Sequence, residues 1–157
     1  SIDGVVENIN DIAGIRVICS YIDDIYLLAD ALLKQEDIQL IAKKDYITNP
    51  KPNGYRSLHL IVAVPVFFMD KKRYMKVEVQ IRTIAMDFWA SLEHQLKYKQ
   101  KNDCQESITK QLKGCADVIA ATDEHMLKLR EEIEQMSDAP TDEDLLYEKL
   151  SKLDLGL

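Results

Sequence analysis

Glycine and cysteine are scarce in this chain of 157 residues, which contains five glycines and three cysteines. The glycine-rich phosphate-binding patterns GxxxxGKS/T and GxGxxG are absent, and so is the zinc-protease pattern HExxH. Any bound phosphate would therefore have to be held by side-chain cations rather than by a cradle of backbone amides. The cysteines are odd in number and have no metal-ligand spacing, which argues against a disulfide framework or a zinc site and is typical of a reducing compartment.

The chain also lacks long apolar runs and an overall positive charge. No apolar run approaches the ~20 residues that span a membrane, and the formal net charge is -7. The basic residues are concentrated in residues 43–82, which hold nine lysines and arginines against three acidic residues. A local basic block in an acidic protein predicts a confined anion site rather than the broad basic surface of a duplex-binding protein. We therefore expect a cytoplasmic protein with neither a membrane nor DNA as its partner.

The most regular pattern is the alternation over residues 74–82, with the sequence YMKVEVQIR. Its odd positions are apolar and its even positions are polar or amphipathic, which is typical of a half-buried β-strand. The open face carries Glu78 and Gln80 among cations, and such a set suits a site that binds phosphates and a metal. A solvated strand face with cross-strand ion pairs is the simpler alternative, and it stays open for this stretch taken alone.

Length and pattern predict one domain with a helical extension. Strand patterns occupy residues 11–21, 38–47, 58–66 and 74–82. Helical spacing of apolar residues occupies 23–34, 84–101, 103–136 and a final segment from about 145. We expect an α+β fold with a mixed β-sheet of about five strands, flanked by helices and followed by a C-terminal helical extension. In the second helix, which Thr83 would cap, the expected buried stripe is Phe88, Trp89, Leu92 and Leu96.

Candidate binding residues lie on one strand face and in the loop before it. The two-residue period of a strand lets His59, Glu78 and Gln80 share a face, with Tyr55 and Arg56 at its edge. The loop 48–57 contains two prolines, two asparagines and a glycine, which predicts a rigid connection. A tyrosine ring held in such a loop can stack on a base, a contact worth ~1–3 kcal/mol.

Charged residues near the first strand require partners. Arg16 interrupts an apolar run, and a buried guanidinium needs an anion, which could be Asp11, another carboxylate or a bound phosphate. Asp11 and Glu78 are the carboxylates that we expect to hold Mg²⁺, since this ion takes one or two carboxylates and completes its shell with water and substrate phosphates. The set predicts Mg²⁺-dependent phosphoryl-type transfer, in which positioning and electrostatics supply most of the catalysis.

Three motifs then make a family resemblance specific. Residues 11–16 (DIAGIR), 53–59 (NGYRSLH) and 78–83 (EVQIRT), in this order, resemble the synthetase domain of RelA/SpoT-type alarmone synthetases, and 88–99 resembles the helix that follows. The match covers about residues 8–100, and the short chain is similar to the small alarmone synthetases. The resemblance implies a nucleotidyltransferase-like fold and transfer of the β,γ-pyrophosphate of ATP to the 3′-hydroxyl of GTP or GDP, giving (p)ppGpp and AMP.

The resemblance also implies roles for the matching residues. Asp11 would be the Mg²⁺ ligand, Glu78 a second ligand or the general base for the 3′-hydroxyl, and Tyr55 the residue that stacks on guanine. Asn53 would shape the loop, and the residues that contact phosphates or ribose would be Lys51, Arg16, His59 and Gln80. Further basic candidates for the nucleotide cleft are Lys43, Lys44 and Arg56. On chemical grounds, Asp87 or Glu93 could accept hydrogen bonds from the N1 and N2 donors of guanine.

The resemblance divides the chain into residues 1–102, the catalytic domain, and residues 103–157, helices that would form a homo-oligomer, a tetramer in the family. In the family a basic helical segment that binds ATP precedes the first strand. Ten residues stand before Asp11 and none is lysine or arginine, so we expect that this segment is missing from the 157 residues.

Three other classes of function remain open at this stage. One is a nucleotidyltransferase-like enzyme with a different acceptor, and another is a non-catalytic module that binds a nucleotide or acts as a scaffold. The basic hairpin with Tyr55 and Tyr74 could also bind single-stranded RNA. The acidic second half of the chain argues against RNA, because RNA-binding proteins usually lack so large an acidic region.

Overall fold

The computed structural model of this chain describes residues 13–68, 71–99, 105–136 and 140–152. In chain order the elements are β1 (Ala13–Cys19), α1 (Ile22–Leu33), β2 (Gln39–Asp45), β3 (Leu58–Phe68), β4 (Lys71–Thr83), α2 (Ile84–Lys99), α3 (Gln105–Met136) and α4 (Asp142–Lys152). Asp11, one of the two predicted magnesium ligands, lies outside the described residues.

The sheet is mixed, as expected, with the strand order β1-β4-β3-β2. Strands β1 and β4 are parallel, whereas β4 pairs antiparallel with β3, and β3 with β2. The described residues form four strands, so the expectation of about five was one too many. The other described segments are helical or are loops rich in turn-forming residues, and none of them has the alternating pattern that a fifth strand would need.

One face of the sheet forms the hydrophobic core. Leu58, Leu60 and Ile81 have no exposed surface, and Val62 and Val79 are also buried. Helix α1 covers this face with its apolar side, in which Ile25 and Ala29 are buried completely or nearly so. Since side chains alternate across a strand, this burial leaves His59 and Gln80 on the opposite face.

Helix α2 buries a different side from the one that the sequence predicts. Its cap is as expected, because the Thr83 hydroxyl accepts a hydrogen bond from the Met86 amide at 3.1 Å. Trp89 is buried, but the other three members of the expected stripe are exposed: Phe88 58%, Leu92 42% and Leu96 49%. The helix carries apolar residues on two sides, and periodicity cannot decide which of them meets the next helix.

Trp89 is a packing residue, as the sequence suggests, and it joins α2 to α3. Its indole nitrogen donates a hydrogen bond to the Leu112 carbonyl at 3.0 Å, and the ring packs on Ala116. Gly54, in the loop before β3, has φ +92°, and a Cβ added there would lie 2.4 Å from the Ala116 Cβ. Glycine is therefore needed at this position both for its backbone conformation and for the close approach of α3.

The far end of α3 is tied to the start of α1 through Arg130, which is 8% exposed. Its guanidinium forms ion pairs with Asp23 and, at 3.4 Å, with Asp24, and it lies 4.4 Å from the centroid of the Tyr21 ring. Helix α3 is therefore fixed at the loop and at α1. Among the described helices, none combines the length and the apolar character that crossing a membrane requires.

Candidate active site

A row of polar side chains crosses all four strands on the face opposite the core. The strand register pairs Lys44 with His59, His59 with Gln80, and Gln80 with Arg16. Residues paired in register project from the same face of a sheet. Four of the predicted site residues, which come from separate segments of the chain, are therefore brought side by side.

Glu78 lies on the same face, two residues before Gln80 on β4. Its Oε1 atom is 3.0 Å from His59 Nδ1 and accepts a hydrogen bond from Gln80 Nε2 at 3.4 Å. The side chain is 36% exposed, and Oε2 has no hydrogen bond to any residue that the structure describes. One carboxylate oxygen is thus held by the protein and the other is available to a ligand.

Tyr55 enters the row from the loop. Its hydroxyl lies 2.8 Å from His59 Nε2 and accepts a hydrogen bond from Arg82 Nη2 at 3.0 Å. Trp89 lies behind the Tyr55 ring, with 6.4 Å between the ring centroids. The loop thus carries the tyrosine to the edge of the polar face, as the sequence predicts.

Arg82 is a site residue that the sequence reasoning missed. It is 4% exposed, and besides Tyr55 it donates to Gln80 Oε1 at 2.7 Å and to Asp87 Oδ1 at 3.1 Å. Its parity on β4, the same as that of Glu78 and Gln80, is a signal that could have identified it. The Nε atom is buried without a hydrogen-bond partner among the described residues, a cost of about 1–3 kcal/mol that the other bonds must offset.

The loop is shaped by Asn53. Its side-chain oxygen accepts a hydrogen bond from the Tyr55 amide at 3.1 Å, and its side-chain nitrogen donates to Glu93 Oε1 at 3.2 Å. Glu93 is buried and also pairs with Lys97. The carboxylate of Glu93 is therefore already engaged in holding the loop.

Lys51 lies between two aromatic rings of the site. Its ammonium is 4.8 Å from the ring centroid of Tyr46 and 4.9 Å from that of Tyr55. Tyr46, which the sequence reasoning also missed, meets the His59 ring edge-on at 5.2 Å. The aromatic cluster beside the polar row thus contains a cation in contact with the ring that is predicted to stack on guanine.

Arg16 has a carboxylate partner, although its surroundings differ from the expectation. The side chain is 54% exposed rather than buried, and its Nη1 lies 3.5 Å from Asp87 Oδ1. Asp87 is thus shared by Arg16 and Arg82. A carboxylate between two guanidinium groups leaves a net positive charge at this corner of the site.

Two of the predicted residues lie away from this face. Lys43 is paired with Leu60, which is on the core face, and its ammonium is 6.0 Å from the Tyr26 ring centroid on α1. Arg56 donates to the Ala116 carbonyl at 2.9 Å and points toward α3. The structure therefore does not bring Lys43 and Arg56 together with the polar row.

The surroundings of His59 favour the neutral form of its imidazole. Burial lowers the pKa of its imidazole, and the nearby cations Arg82, Lys51 and Lys44 lower it further, whereas the Glu78 carboxylate raises it. The net direction is down from the ordinary value of 6.5. At neutral pH the ring therefore has one protonated and one unprotonated nitrogen.

A buried carboxyl group lies behind the site. Asp123 on α3 accepts a hydrogen bond from the Thr83 hydroxyl, the same hydroxyl that caps α2. Burial raises the pKa of Asp123, and the Thr83 hydrogen bond opposes that rise in part. The end of β4, the start of α2 and the middle of α3 therefore meet at one polar contact.

Of the two predicted magnesium ligands, Glu78 lies among the described residues. Glu78 offers a hard oxygen that is partly exposed, and Mg²⁺ needs only one or two protein carboxylates beside phosphate and water oxygens. No cluster of three or more candidate metal ligands occurs among the described residues. The second expected ligand, Asp11, is not among them, so its pairing with Glu78 stays a prediction.

The chain matches known proteins over most of its length. Residues 3–103 match the family model described as a region found in RelA/SpoT proteins. The chain is 52% identical over 128 residues to the GTP pyrophosphokinase YwaC of Bacillus subtilis, covering 82% of this chain. It spans about three fifths of the length of two Bacillus subtilis GTP pyrophosphokinases, 61% of YwaC and 62% of YjbM.

Solved structures show the same fold. Small alarmone synthetase 2 from Bacillus subtilis superposes with a TM-score of 0.74 at 48% identity, covering 84% of this chain and 77% of the other. Small alarmone synthetase 1 from the same organism, bound to its product pppGpp, gives a TM-score of 0.74 at 36% identity, covering 83% and 67%.

Proposed function

This chain belongs to the RelA/SpoT family, and on that premise we propose that it carries the synthetase site for (p)ppGpp. The reaction is transfer of the β,γ-pyrophosphate of ATP to the 3′-hydroxyl of GTP or GDP, with release of AMP. The observation that supports it most directly is the row from Lys44 to Arg16, with the half-exposed Glu78 carboxylate beside it. Cations flanking one accessible carboxylate suit a reaction between polyphosphates that needs a base.

The acceptor nucleotide is assigned to the loop side of the site. Guanine stacks on Tyr55, and Lys51 places a positive charge near the phosphates or ribose of the same nucleotide. The loop needs little rearrangement, because Asn53, held by Glu93, already fixes the backbone amide of the tyrosine. Because this stacking surface on the Tyr55 ring, the Tyr55 shelf, is already ordered before the nucleotide binds, the entropic cost of binding is reduced.

The donor phosphates are assigned to the cationic side of the row, toward Arg16 and Lys44. The acceptor 3′-oxygen forms a bond to the β-phosphorus of ATP, while the bond from that phosphorus to the α,β-bridging oxygen breaks and AMP leaves. The proton of the 3′-hydroxyl passes to Glu78, whose Oε1 is held by His59 and Gln80. Asp11 would hold Mg²⁺, with Glu78 as a second ligand only if it is not the base, and a bound Mg²⁺ would supply charge neutralisation at the phosphates.

The products distinguish this function from its nearest rival. With ATP, GTP and Mg²⁺, the natural protein is expected to form AMP and pppGpp in equal amounts. A nucleotidyltransferase would instead release pyrophosphate and attach AMP to its acceptor. The test is to incubate the protein with ATP labelled at the γ-phosphate and then to separate the nucleotides. Label in a guanine nucleotide supports the proposal, and label in free pyrophosphate contradicts it.

We also propose that α3 and α4 contact further copies of the chain, with a tetramer as the expected assembly. Helix α3 exposes Val118, Ile133 and Met136 by 68%, 65% and 85%, and apolar side chains on one helix commonly meet a partner. Light scattering of the natural protein measures the assembly, and a monomeric mass over the working concentration range would contradict the proposal. A cytoplasmic location belongs to the same proposal, because ATP and GTP are found there.

A further inference from the structure

Arg82 is the donor at the centre of the site. Its guanidinium is almost wholly buried, and Nη2 donates to two acceptors, the Tyr55 hydroxyl at 3.0 Å and Gln80 Oε1 at 2.7 Å. Arginine carries only N–H donors and does not lose its proton in proteins. Both hydrogen bonds must therefore run outward from Arg82.

The first of these bonds sets the direction of a chain of donors. Because the Tyr55 hydroxyl accepts from Arg82, its own proton is available for His59 Nε2, which lies 2.8 Å away. Nε2 then acts as an acceptor, and the imidazole proton is on Nδ1. That proton points to Glu78 Oε1, 3.0 Å from Nδ1.

The second bond leads to the same atom by a shorter path. With its side-chain oxygen accepting from Arg82, Gln80 presents its amide nitrogen to Glu78 Oε1 at 3.4 Å. The amide orientation is thus set by arginine rather than left free. Two arms, one through Tyr55 and His59 and one through Gln80, both end on Oε1 of the carboxylate.

We propose that Arg82 is a positioning residue that directs both arms onto Glu78 Oε1, keeps His59 in its Nδ1–H form, and leaves Oε2 as the working oxygen of Glu78. As a statement about catalysis this rests on the proposed function. As a statement about the hydrogen-bond network it does not, because the form of His59 can be measured without substrate. The same residue also links the stacking ring of Tyr55 to the base Glu78, since it positions both through one guanidinium.

The direct test is ¹⁵N NMR of the natural protein with labelled histidine, which distinguishes protonated from unprotonated ring nitrogens. His59 is expected to be protonated at Nδ1 and unprotonated at Nε2, with His94 and His125 as exposed references. In Arg82→Met the Tyr55 hydroxyl loses its obligatory donor, and we expect His59 to be a mixture of its two neutral forms, protonated at Nδ1 or at Nε2. Arg82→Lys, which still offers only donors, is expected to retain more of the Nδ1–H form than Arg82→Met.

The matched control is Arg130→Met, which removes the other buried guanidinium that contacts a tyrosine and a carboxylate. It should leave the His59 signals unchanged. Protonation of His59 at Nε2 in the unmodified protein overturns the proposal, and so does an unchanged spectrum in Arg82→Met or an equal change in Arg130→Met. The measurement on the unmodified protein remains decisive if Arg82→Met does not fold.

Kinetics test the catalytic part separately. Loss of positioning is expected to lower kcat of Arg82→Met by about 10–100-fold, with partial recovery in Arg82→Lys and little change in the KM for ATP. An altered His59 signal with unchanged kcat overturns the positioning role. If the natural protein forms no (p)ppGpp, the proposed function fails, whereas the NMR result still decides the direction of the network.

Discussion

Two buried arginines, Arg82 and Arg130, have similar neighbours and different electrostatic surroundings. Each is less than a tenth exposed and contacts a tyrosine ring and at least one carboxylate. Arg130 is matched by Asp23, Asp24 and Glu134, so its charge is fully compensated. Arg82 instead donates to two neutral groups and to Asp87, which Arg16 also uses.

The difference separates a structural arginine from one that serves a binding site. A buried arginine surrounded by its own carboxylates leaves no excess positive charge to attract an anion, so the Arg130 region suits a joint between helices. A buried charge that shares its carboxylate leaves positive potential at the surface above it, which favours phosphates.

Glu78→Gln is expected to have the largest effect, because it removes the carboxylate at which the Arg82 network ends. Loss of a general base should lower the rate of pyrophosphate transfer by about 10²–10⁴-fold, with an unchanged circular dichroism spectrum. Glu134→Gln, which changes a carboxylate partner of Arg130, is the control and should retain turnover. Comparable loss in both variants, or unchanged turnover in Glu78→Gln, would remove Glu78 from the mechanism.

Gly54→Ala tests the point where the site loop meets the helix that Arg130 anchors. The positive φ and the contact with Ala116 are expected to cost about 2–3 kcal/mol of unfolding free energy and to displace Tyr55. Gly114→Ala is the matched control on α3, where an added Cβ meets nothing within 4 Å, and it should stabilise the helix by roughly 0.5–1 kcal/mol. Urea unfolding gives the change in the free energy of unfolding for both variants. Changes of the same sign would contradict the role assigned to Gly54.

Arg130→Met should lower stability without lowering the proposed turnover of the folded protein. Removing the cation leaves Asp23 and Asp24 facing each other, and because Asp23 is about half exposed we expect a loss of about 2 kcal/mol rather than the larger cost of a fully buried pair. Urea unfolding gives the stability, and an assay at low temperature gives the turnover. A kcat reduced tenfold in folded protein would contradict the separation of the two regions.

Tyr55→Ala is expected to weaken GTP or GDP binding by about 1–3 kcal/mol, the value of one stacked base, and to leave the affinity for ATP unchanged. Tyr21→Ala removes the ring beside Arg130 and should change neither affinity. Calorimetric titration with each nucleotide gives the comparison. If Tyr55→Ala weakened only ATP binding, the assignment of guanine to this shelf would be wrong.

The smallest expected effect concerns Asp123, which links Thr83, next to Arg82, to the helix of Arg130. A carboxyl group whose pKa is raised on folding contributes stability at low pH that is lost as the pH rises through the folded pKa. Asp123→Asn, which can still accept from Thr83, should therefore raise the melting temperature at pH 7, and the gain should shrink toward pH 4. If Asp123→Asn were less stable than the parent at pH 7, the ionised form of the Asp123 carboxylate would be the one that stabilises the fold, and the prediction would be wrong.

The sequence predicted most of the polar row, because strand parity is a strong constraint. The alternation places His59 on one side of β3 and Glu78 and Gln80 on one side of β4, and both strands were recognised from their apolar residues. The alternation could not exclude Lys43. Because Lys43 and Lys44 are adjacent, one of them lies on the polar face whichever way the strand is oriented, and only the pairing with β3 shows that Lys43 is on the side of the core. The sequence analysis also missed Arg82. As the last polar position of the predicted strand it resembles an exposed charge at a strand end, and only the structure shows that the loop covers it.

Period-two and helical patterns are local, and they are encoded in residues a few positions apart. They were sufficient for the four strands and for the cap at Thr83, whereas the family resemblance came from contiguous sequence motifs. The choice of buried side on α2, the turn of Arg56 toward α3 and the sharing of Asp87 by two arginines depend on segments distant in the chain. Those were settled by packing, because the free energy of burying a face depends on what covers it, and no single segment contains that information.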